Sequence, residues 1–199
     1  MNASLKDSKQ TPCAACVANC CGAFRIFLSP FDLYRLSDTL CVPAVKLCLP
    51  VQLCAENADH LPWSFSLGEE ERFLLSLRRR SNHCLFQMNV GGMRRCGVHA
   101  IRPLVCRGYP FHWDGRRLNR VRQFLCPAEW VLTSNERAEW MDLLSRRMSQ
   151  ELFQYEAFLE TWHEVELSRL NSEGMAPRAF RDRFSRFLTF LRSCVPALG

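Results

Sequence analysis

The sequence predicts a mainly α fold, a small irregular domain with one or two short β-hairpins followed by a C-terminal pair of helices. Two observations predict the helices: apolar residues recur at helical spacing from Trp140 to Trp162 and again from Phe180 to Leu191. A third observation predicts the hairpins, because Gly91-Gly92 and Asp114-Gly115 are pairs typical of tight turns between strands.

The first helix is expected to begin at Ser29. Ser29 can cap it, Pro30 suits its first position, and Asp32 lies in its first turn. Its apolar face would consist of Leu33, Leu36 and Leu40.

The middle of the chain predicts shorter elements. Residues 41–68 contain three prolines and are expected to be irregular, whereas Glu69–Arg79 is expected to form a helix. Pro103 should begin a single helical turn that ends at Gly108. A capping box at Thr133 and Glu136 should then begin the C-terminal helices.

Positive charge is concentrated in one region of the chain. Eleven arginines lie between Arg78 and Arg122, with Asp114 as the single acidic residue among them. Such a region attracts an anionic partner or compensates buried negative charge. For Arg78–Arg80, a solvated basic surface is an equally good interpretation.

The cellular compartment is predicted from what the sequence lacks. The polar N-terminal residues have no apolar stretch of the kind that a signal peptide needs, and no run approaches the roughly 18 apolar residues of a spanning helix. We therefore expect a cytoplasmic protein without a membrane partner. Its twelve cysteines should stay reduced, so they are better explained as ligands than as disulfides.

Four of these cysteines are packed into the stretch CAACVANCC, with C-x2-C-x3-C-C spacing. If the stretch is helical, Cys13, Cys16 and Cys20 share one face. Cys21 is then rotated by about 100° and serves a second centre or lies beside the first. Three thiolates on one face are suited to a metal centre.

Other cysteines lie at predicted turns, where metal-binding proteins often place their ligands. Cys84 and Cys96 flank the Gly91-Gly92 turn, and Cys106 lies in the turn begun by Pro103. Arg102 and Arg107 flank Cys106, and two further arginines precede Cys96. Cations beside thiols favour the thiolate form, which is the form that binds metal.

The segments CAACVANCC, LSPFDLYRLSDTL and CLFQMNVGGMRRCGVHAIRPLVCRGYP resemble, in this order, the YkgJ-type cysteine-cluster family of zinc- or iron-chelating domains. The resemblance covers roughly residues 13–126. It implies that the metal ligands are Cys13, Cys16, Cys20, Cys21, Cys84, Cys96, Cys106 and Cys126. Arg102, Arg107 and Tyr109 match further positions of the family motif.

One position departs from the family pattern. His99 stands where the family usually has tyrosine, and C-x-x-H is itself a ligand spacing. His99 is therefore either a metal ligand or a hydrogen-bonded structural residue. His112 lies close to the motif and could support a metal ligand by a hydrogen bond.

The resulting hypothesis divides the chain into three parts. Residues 1–12 would be a flexible tail, 13–130 a cysteine-cluster metal-binding domain, and 131–199 a helical extension packed on it. The cysteine thiolates would hold zinc or an iron–sulfur cluster, with a 4Fe–4S cluster among the options. Spacing does not distinguish these metals.

Two alternatives belong to other functional classes. The motif also resembles the cysteine cluster of flagellin lysine N-methylases, which implies a cluster-dependent enzyme with methyltransferase-like activity. Against an enzyme, no glycine-rich loop for S-adenosylmethionine follows a predicted strand. Zinc-dependent nucleic-acid binding is the third hypothesis, but aromatic residues are not interleaved with the arginines as a stacking surface requires.

Overall fold

The computed structural model describes residues 20–54, 63–67, 71–113, 116–121, 125, 133–173 and 180–196. The helices are α1 (Cys20–Ala23), α2 (Pro30–Leu40), α3 (Ala44–Leu47), α4 (Leu104–Gly108), α5 (Ser134–Met141), α6 (Ser149–Glu173) and α7 (Phe180–Cys194). A 3-10 turn (His99–Ile101) precedes α4, and a π-helical segment (Asp142–Met148) joins α5 to α6. Together with short antiparallel strand pairs, these helices confirm the mainly α class.

The strands in the described part of the chain form one three-stranded sheet and three separate hairpins. They are β1 (Cys48–Gln52), β2 (Phe65–Ser66), β3 (Arg72–Leu77), β4 (Arg79–Arg80), β5 (His83–Cys84), β6 (Gln87–Val90), β7 (Met93–Cys96), β8 (Phe111–Trp113) and β9 (Leu118–Arg120). The sheet has the order β1-β3-β2, and the hairpins pair β4 with β5, β6 with β7, and β8 with β9. All pairings are antiparallel.

The central strand corrects one expectation: the described part of Glu69–Arg79, residues 71–79, does not form a helix. Its apolar residues form β3, with β1 along one edge and β2 along the other. Five consecutive residues of β3, from Phe73 to Leu77, are buried. A strand covered on both faces has a continuous apolar run, which periodicity alone does not distinguish from a buried helix.

The neighbouring segment is also more regular than expected. Part of the stretch 41–68 forms α3 and β1, and another part forms β2, while residues 55–62 lie outside the described range. Pro50 lies within β1 opposite Leu75. A proline is tolerated there because β1 is an edge strand, whose outward N–H groups are not needed for pairing.

The hairpin predicted at Gly91-Gly92 is confirmed. These glycines join β6 to β7 at φ angles of 58° and 77°, in the left-handed region that glycine adopts readily. The prediction at Asp114-Gly115 needs correction: Trp113 pairs with Leu118, so four residues, not two, separate β8 from β9. Asp114 and Gly115 themselves lie outside the described residues.

The helix predicted from Ser29 is confirmed and is anchored at its start. The Ser29 hydroxyl accepts a hydrogen bond from the Asp32 backbone N–H at 3.0 Å. The same hydroxyl donates to Glu151 of α6 at 3.0 Å. The capping box at Thr133 and Glu136 is also present and begins α5.

The core joins the sheet to the two C-terminal helices. Phe65 of β2 stacks on Phe187 of α7, with ring centroids 4.0 Å apart. Trp162 of α6 contacts Phe187 edge-on and donates its indole N–H to the Ser66 carbonyl at 2.9 Å. The residues at helical spacing after Trp140 therefore act mainly in packing. No described helix has both the length and the apolar character needed to cross a membrane.

Replacing Gly108 by alanine should destabilise the protein. A Cβ atom at this position would lie 2.6 Å from Cδ2 of Leu144 in the π-helical segment, which packs against α4. Overpacking of this kind costs about 1–3 kcal/mol, measured as the change in unfolding free energy by denaturant titration. In the Leu144→Ala background the added cost of Gly108→Ala should be smaller, and equal costs in both backgrounds would contradict the proposed clash.

Candidate metal centre

The two cysteines of α1 are connected to the β4–β5 hairpin by Arg79. Its Nη1 donates to the Phe24 carbonyl at 3.0 Å, and its Nη2 donates to the carbonyls of Gly22 and Asn82. These carbonyls lie at the end of α1 and in the β4–β5 turn. The guanidinium therefore satisfies C-terminal carbonyls of α1 and brings Cys20 and Cys21 to the hairpin that carries Cys84.

A second connection positions α4, the helix of Cys106. Both carboxylate oxygens of Asp32 accept a hydrogen bond from the Leu104 N–H, at 3.1 and 3.0 Å. Asp32 also pairs with Arg35, which donates to the Arg102 carbonyl at 3.4 Å. The buried Asp32 thus caps α4 from α2, because its charge complements the free N–H groups at the start of a helix.

Five of the eight predicted ligands lie within electrostatic reach of one another. Cys20 and Cys21 share a hydrogen bond between their thiols, and Cys21 is also influenced by Cys84 and Cys106. Cys96, at the end of β7, interacts with Cys20, Cys84 and Cys106. Hereafter we call Cys20, Cys21, Cys84, Cys96 and Cys106 the thiol cluster. Cys21 therefore lies beside the other thiols rather than apart from them.

The ionisation of these thiols depends on their surroundings. The hydrogen bond from Cys21 lowers the pKa of Cys20 to about 6, and the same bond raises the pKa of Cys21. Burial raises the pKa of Cys84, Cys96 and Cys106, and neighbouring thiolates add to the effect. Several thiolates close together therefore need a cation between them, which a thiophilic metal ion supplies.

The described residues do not make up a complete coordination site. Among them, no three His, Cys, Asp or Glu side chains form a group that could hold a metal ion. Three predicted ligands, Cys13, Cys16 and Cys126, lie outside the described range. The residues present thus fit a thiophilic metal in donor type, and their assignment as ligands stays a prediction.

Arginines act on the thiol cluster unequally. The charge of Arg102 favours the thiolates of Cys20, Cys96 and Cys106, and its Nε donates to the His99 carbonyl at 3.1 Å. Arg79 does the same for Cys84. Arg107 differs from Arg102 and Arg79, because burial and the charges of neighbouring arginines lower its own pKa. Arg102 and Arg79 are therefore the arginines whose positive charge compensates the negative charge of the cysteine thiolates.

Three further predicted residues surround this region. His99 lies half-buried in the 3-10 turn before α4. The Tyr109 ring contacts Phe24, directly after α1, at a centroid distance of 5.6 Å, and its hydroxyl accepts from the Leu125 N–H at 2.8 Å. His112 is exposed in β8. Tyr109 thus packs beside the thiol cluster, and the ligand role of His99 stays a prediction.

The cysteines outside the motif differ in burial. Cys48 is fully buried in the core, as expected for a small apolar residue. Cys54, which follows the edge strand β1, is exposed. Cys41 is also exposed, and Cys194 is half-buried.

Sequence reasoning missed the roles of Arg79 and Asp32. For Arg79 the sequence allows a solvated basic surface as one of two interpretations, yet the side chain is half-buried and donates to three carbonyls. Asp32 was assigned only to the first turn of its own helix, yet it caps α4, which lies 72 residues away. The available signal for the second role was the position of Asp32 four residues before Leu36, on the apolar side of its own helix.

Comparison with known proteins agrees with the motif. A family model described as "CxxCxxCC: Putative zinc- or iron-chelating domain" matches residues 12–142, which include all eight predicted cysteine ligands. No curated protein and no solved structure matches the chain.

Proposed function

Because this chain belongs to the CxxCxxCC family, whose domain is described as zinc- or iron-chelating, we propose that it holds its metal through cysteine thiolates. The thiol cluster is the observation that supports this most directly. Its five members come from α1 and from β5, β7 and α4, whose cysteines follow those of α1 by more than 60 residues in the sequence. As thiolates, the form that binds metal, these five groups repel one another, so a cation would be needed to hold them together in that form.

The ligand set would be completed by the remaining motif cysteines. Cys13 and Cys16 precede the thiol cluster in the same C-x2-C-x3-C-C run, and Cys126 closely follows Leu125, whose N–H binds Tyr109. Eight thiolates suffice for two four-cysteine sites, or for one iron–sulfur cluster and a second centre. In this proposal residues 13–130 carry the metal and residues 131–199 form a helical extension.

When bound, zinc or an iron–sulfur cluster would link segments more than 60 residues apart in the chain. The protein's own residues would hold that link in place. Arg79 connects α1 to the β4–β5 hairpin, Asp32 fixes the start of α4, and Arg102 offsets part of the thiolate charge. Metal binding would then contribute directly to folding free energy, because the ligands are brought together only in the folded chain.

Anaerobic purification with metal analysis and absorption spectroscopy tests the proposal. We expect stoichiometric zinc or iron. A colourless zinc protein would indicate four-coordinate thiolate sites, whereas broad absorption at about 400 nm with iron and inorganic sulfide would indicate a cluster. Protein that is folded, binds neither metal on reconstitution, and keeps its stability in the presence of a chelator would contradict it.

A further inference from the structure

Beside the thiol cluster, an open pocket of about 400 Å³ lies between the β4–β5 and β6–β7 hairpins. One wall carries Arg80 and His83, which are directly opposite each other in the first hairpin. The other carries Asn89 and Arg94, which are directly opposite in the second. Cross-strand partners project from the same face of a hairpin, so each hairpin contributes a pair of polar side chains to the pocket.

Among the described residues, no acidic side chain balances the positive charge of the pocket. Arg80 and Arg94 are exposed, and within the described part of the chain neither makes an ion pair. No Asp or Glu is among the residues that line the pocket. The neighbouring sequence offers little negative charge to neutralise Arg80 and Arg94, since Asp114 is the single acidic residue between Arg78 and Arg122. Two uncompensated guanidinium groups at one concave surface attract an anion.

His83 adds a donor to the same surface. Its Nδ1 atom is buried and has no hydrogen-bond partner among the described residues. An unpartnered buried nitrogen is unusual in a folded protein, and here that atom does not fix the orientation of the ring. A modest rotation of the imidazole would present a nitrogen to a ligand in the pocket.

We propose that this pocket binds a small molecule through its oxyanion group, a phosphate or a carboxylate, held between Arg80 and Arg94. The guanidinium group has a planar set of donors that matches either oxyanion. Leu85 and Met88 also line the pocket and would contact an apolar part of the ligand. The volume lies within the range of roughly 300–1,000 Å³ that is usual for small-molecule sites.

The pocket also borders a candidate metal ligand, because Cys84 forms part of its lining. A ligand held by its oxyanion would therefore lie next to the thiol cluster. The proposal goes beyond metal binding and does not depend on it, since the oxyanion contacts come from side chains that are not in the thiol cluster.

Calorimetric titration of the purified 199-residue protein at low ionic strength tests the proposal. The probes are inorganic phosphate, phenyl phosphate and benzoate. We expect saturable binding of one equivalent of phenyl phosphate or benzoate, and the tighter of the two identifies the oxyanion. Arg80→Gln and Arg94→Gln should each weaken binding at least about tenfold, because each removes a charge-assisted hydrogen bond. Arg94→Lys should have a smaller effect.

Arg181→Gln is the matched control, because Arg181 is an exposed arginine on α7 outside the pocket. Equal weakening by this control would show a diffuse charge effect and overturn the proposal. So would the absence of saturable binding by every probe, or tight binding of single-stranded RNA that Arg94→Gln leaves intact. Metal content is measured on each variant, so loss of anion binding with metal retained separates this site from the thiol cluster.

Discussion

Replacing Cys106 by serine should remove bound metal and destabilise the fold. Serine is a poor ligand for a thiophilic ion, and its hydroxyl does not ionise near neutral pH. The cysteines that remain would then lack the cation that offsets their charge, unless they take up protons. We expect metal content to fall well below that of the wild-type protein and unfolding free energy to drop by about 4–5 kcal/mol or more. Metal analysis and denaturant titration measure both effects.

Two cysteines outside the motif provide the controls. Cys41→Ser and Cys194→Ser make the same chemical change at exposed and half-buried positions, and both should keep full metal content. Cys20→Ser should behave like Cys106→Ser, because Cys20 belongs to the thiol cluster. The His99→Phe variant tests whether His99 is a metal ligand, because unchanged metal content would identify His99 as a structural residue. If Cys106→Ser bound metal as the wild-type protein does, we would withdraw the ligand assignment.

Replacing Asp32 by alanine should destabilise the fold strongly and also weaken metal binding. The change leaves the Leu104 N–H without its acceptor and Arg35, whose side chain is 15% exposed, without its carboxylate. Breaking a buried ion pair from one side costs about 3–5 kcal/mol. Because α4 carries Cys106, metal affinity should also fall, by about 10–100-fold for a residue that orients a ligand. Denaturant titration and competition with a metal chelator provide the two measurements.

Asp32→Asn separates the charge of this residue from its hydrogen bonds. Asparagine keeps an acceptor for the Leu104 N–H, so Asp32→Asn should lower the unfolding free energy by less than Asp32→Ala does. Wild-type metal affinity in Asp32→Ala would contradict a role in positioning α4, whatever the loss of stability.

The ionisation of Asp32 also predicts a dependence on pH. Burial raises the pKa of Asp32 from 3.8 to about 6, although Arg35 acts in the opposite direction. A carboxyl with a raised pKa contributes stability that is fully present below pH 3.8 and is lost as pH rises through 6. Between pH 4 and pH 7, the wild-type protein should therefore lose roughly 2 kcal/mol of unfolding free energy relative to Asp32→Asn. A constant difference would show that Asp32 titrates normally.

The sequence by itself determined the elements whose signals are local. Ser29 and Thr133 provide helix caps within a few residues of the N–H groups they bind, and Gly91-Gly92 provides the backbone freedom of its own turn. The ordered cysteine motif likewise identified the family, because such a motif consists of residue types at fixed spacing and can be read from the sequence alone. Helical periodicity also located the C-terminal helices, since their buried faces repeat along the chain.

The tertiary structure alone decided the features that depend on distant partners. β3 is a strand because β1 and β2 cover its edges, and its apolar run carries no sign of either neighbour. Arg79 is a connector and Asp32 a cap for α4 because carbonyls and an N–H from other elements reach them. The proximity of Cys21 to Cys84 and Cys106 has the same origin. Hydrogen bonding and burial between segments far apart in the chain fix these roles, and no local pattern encodes them.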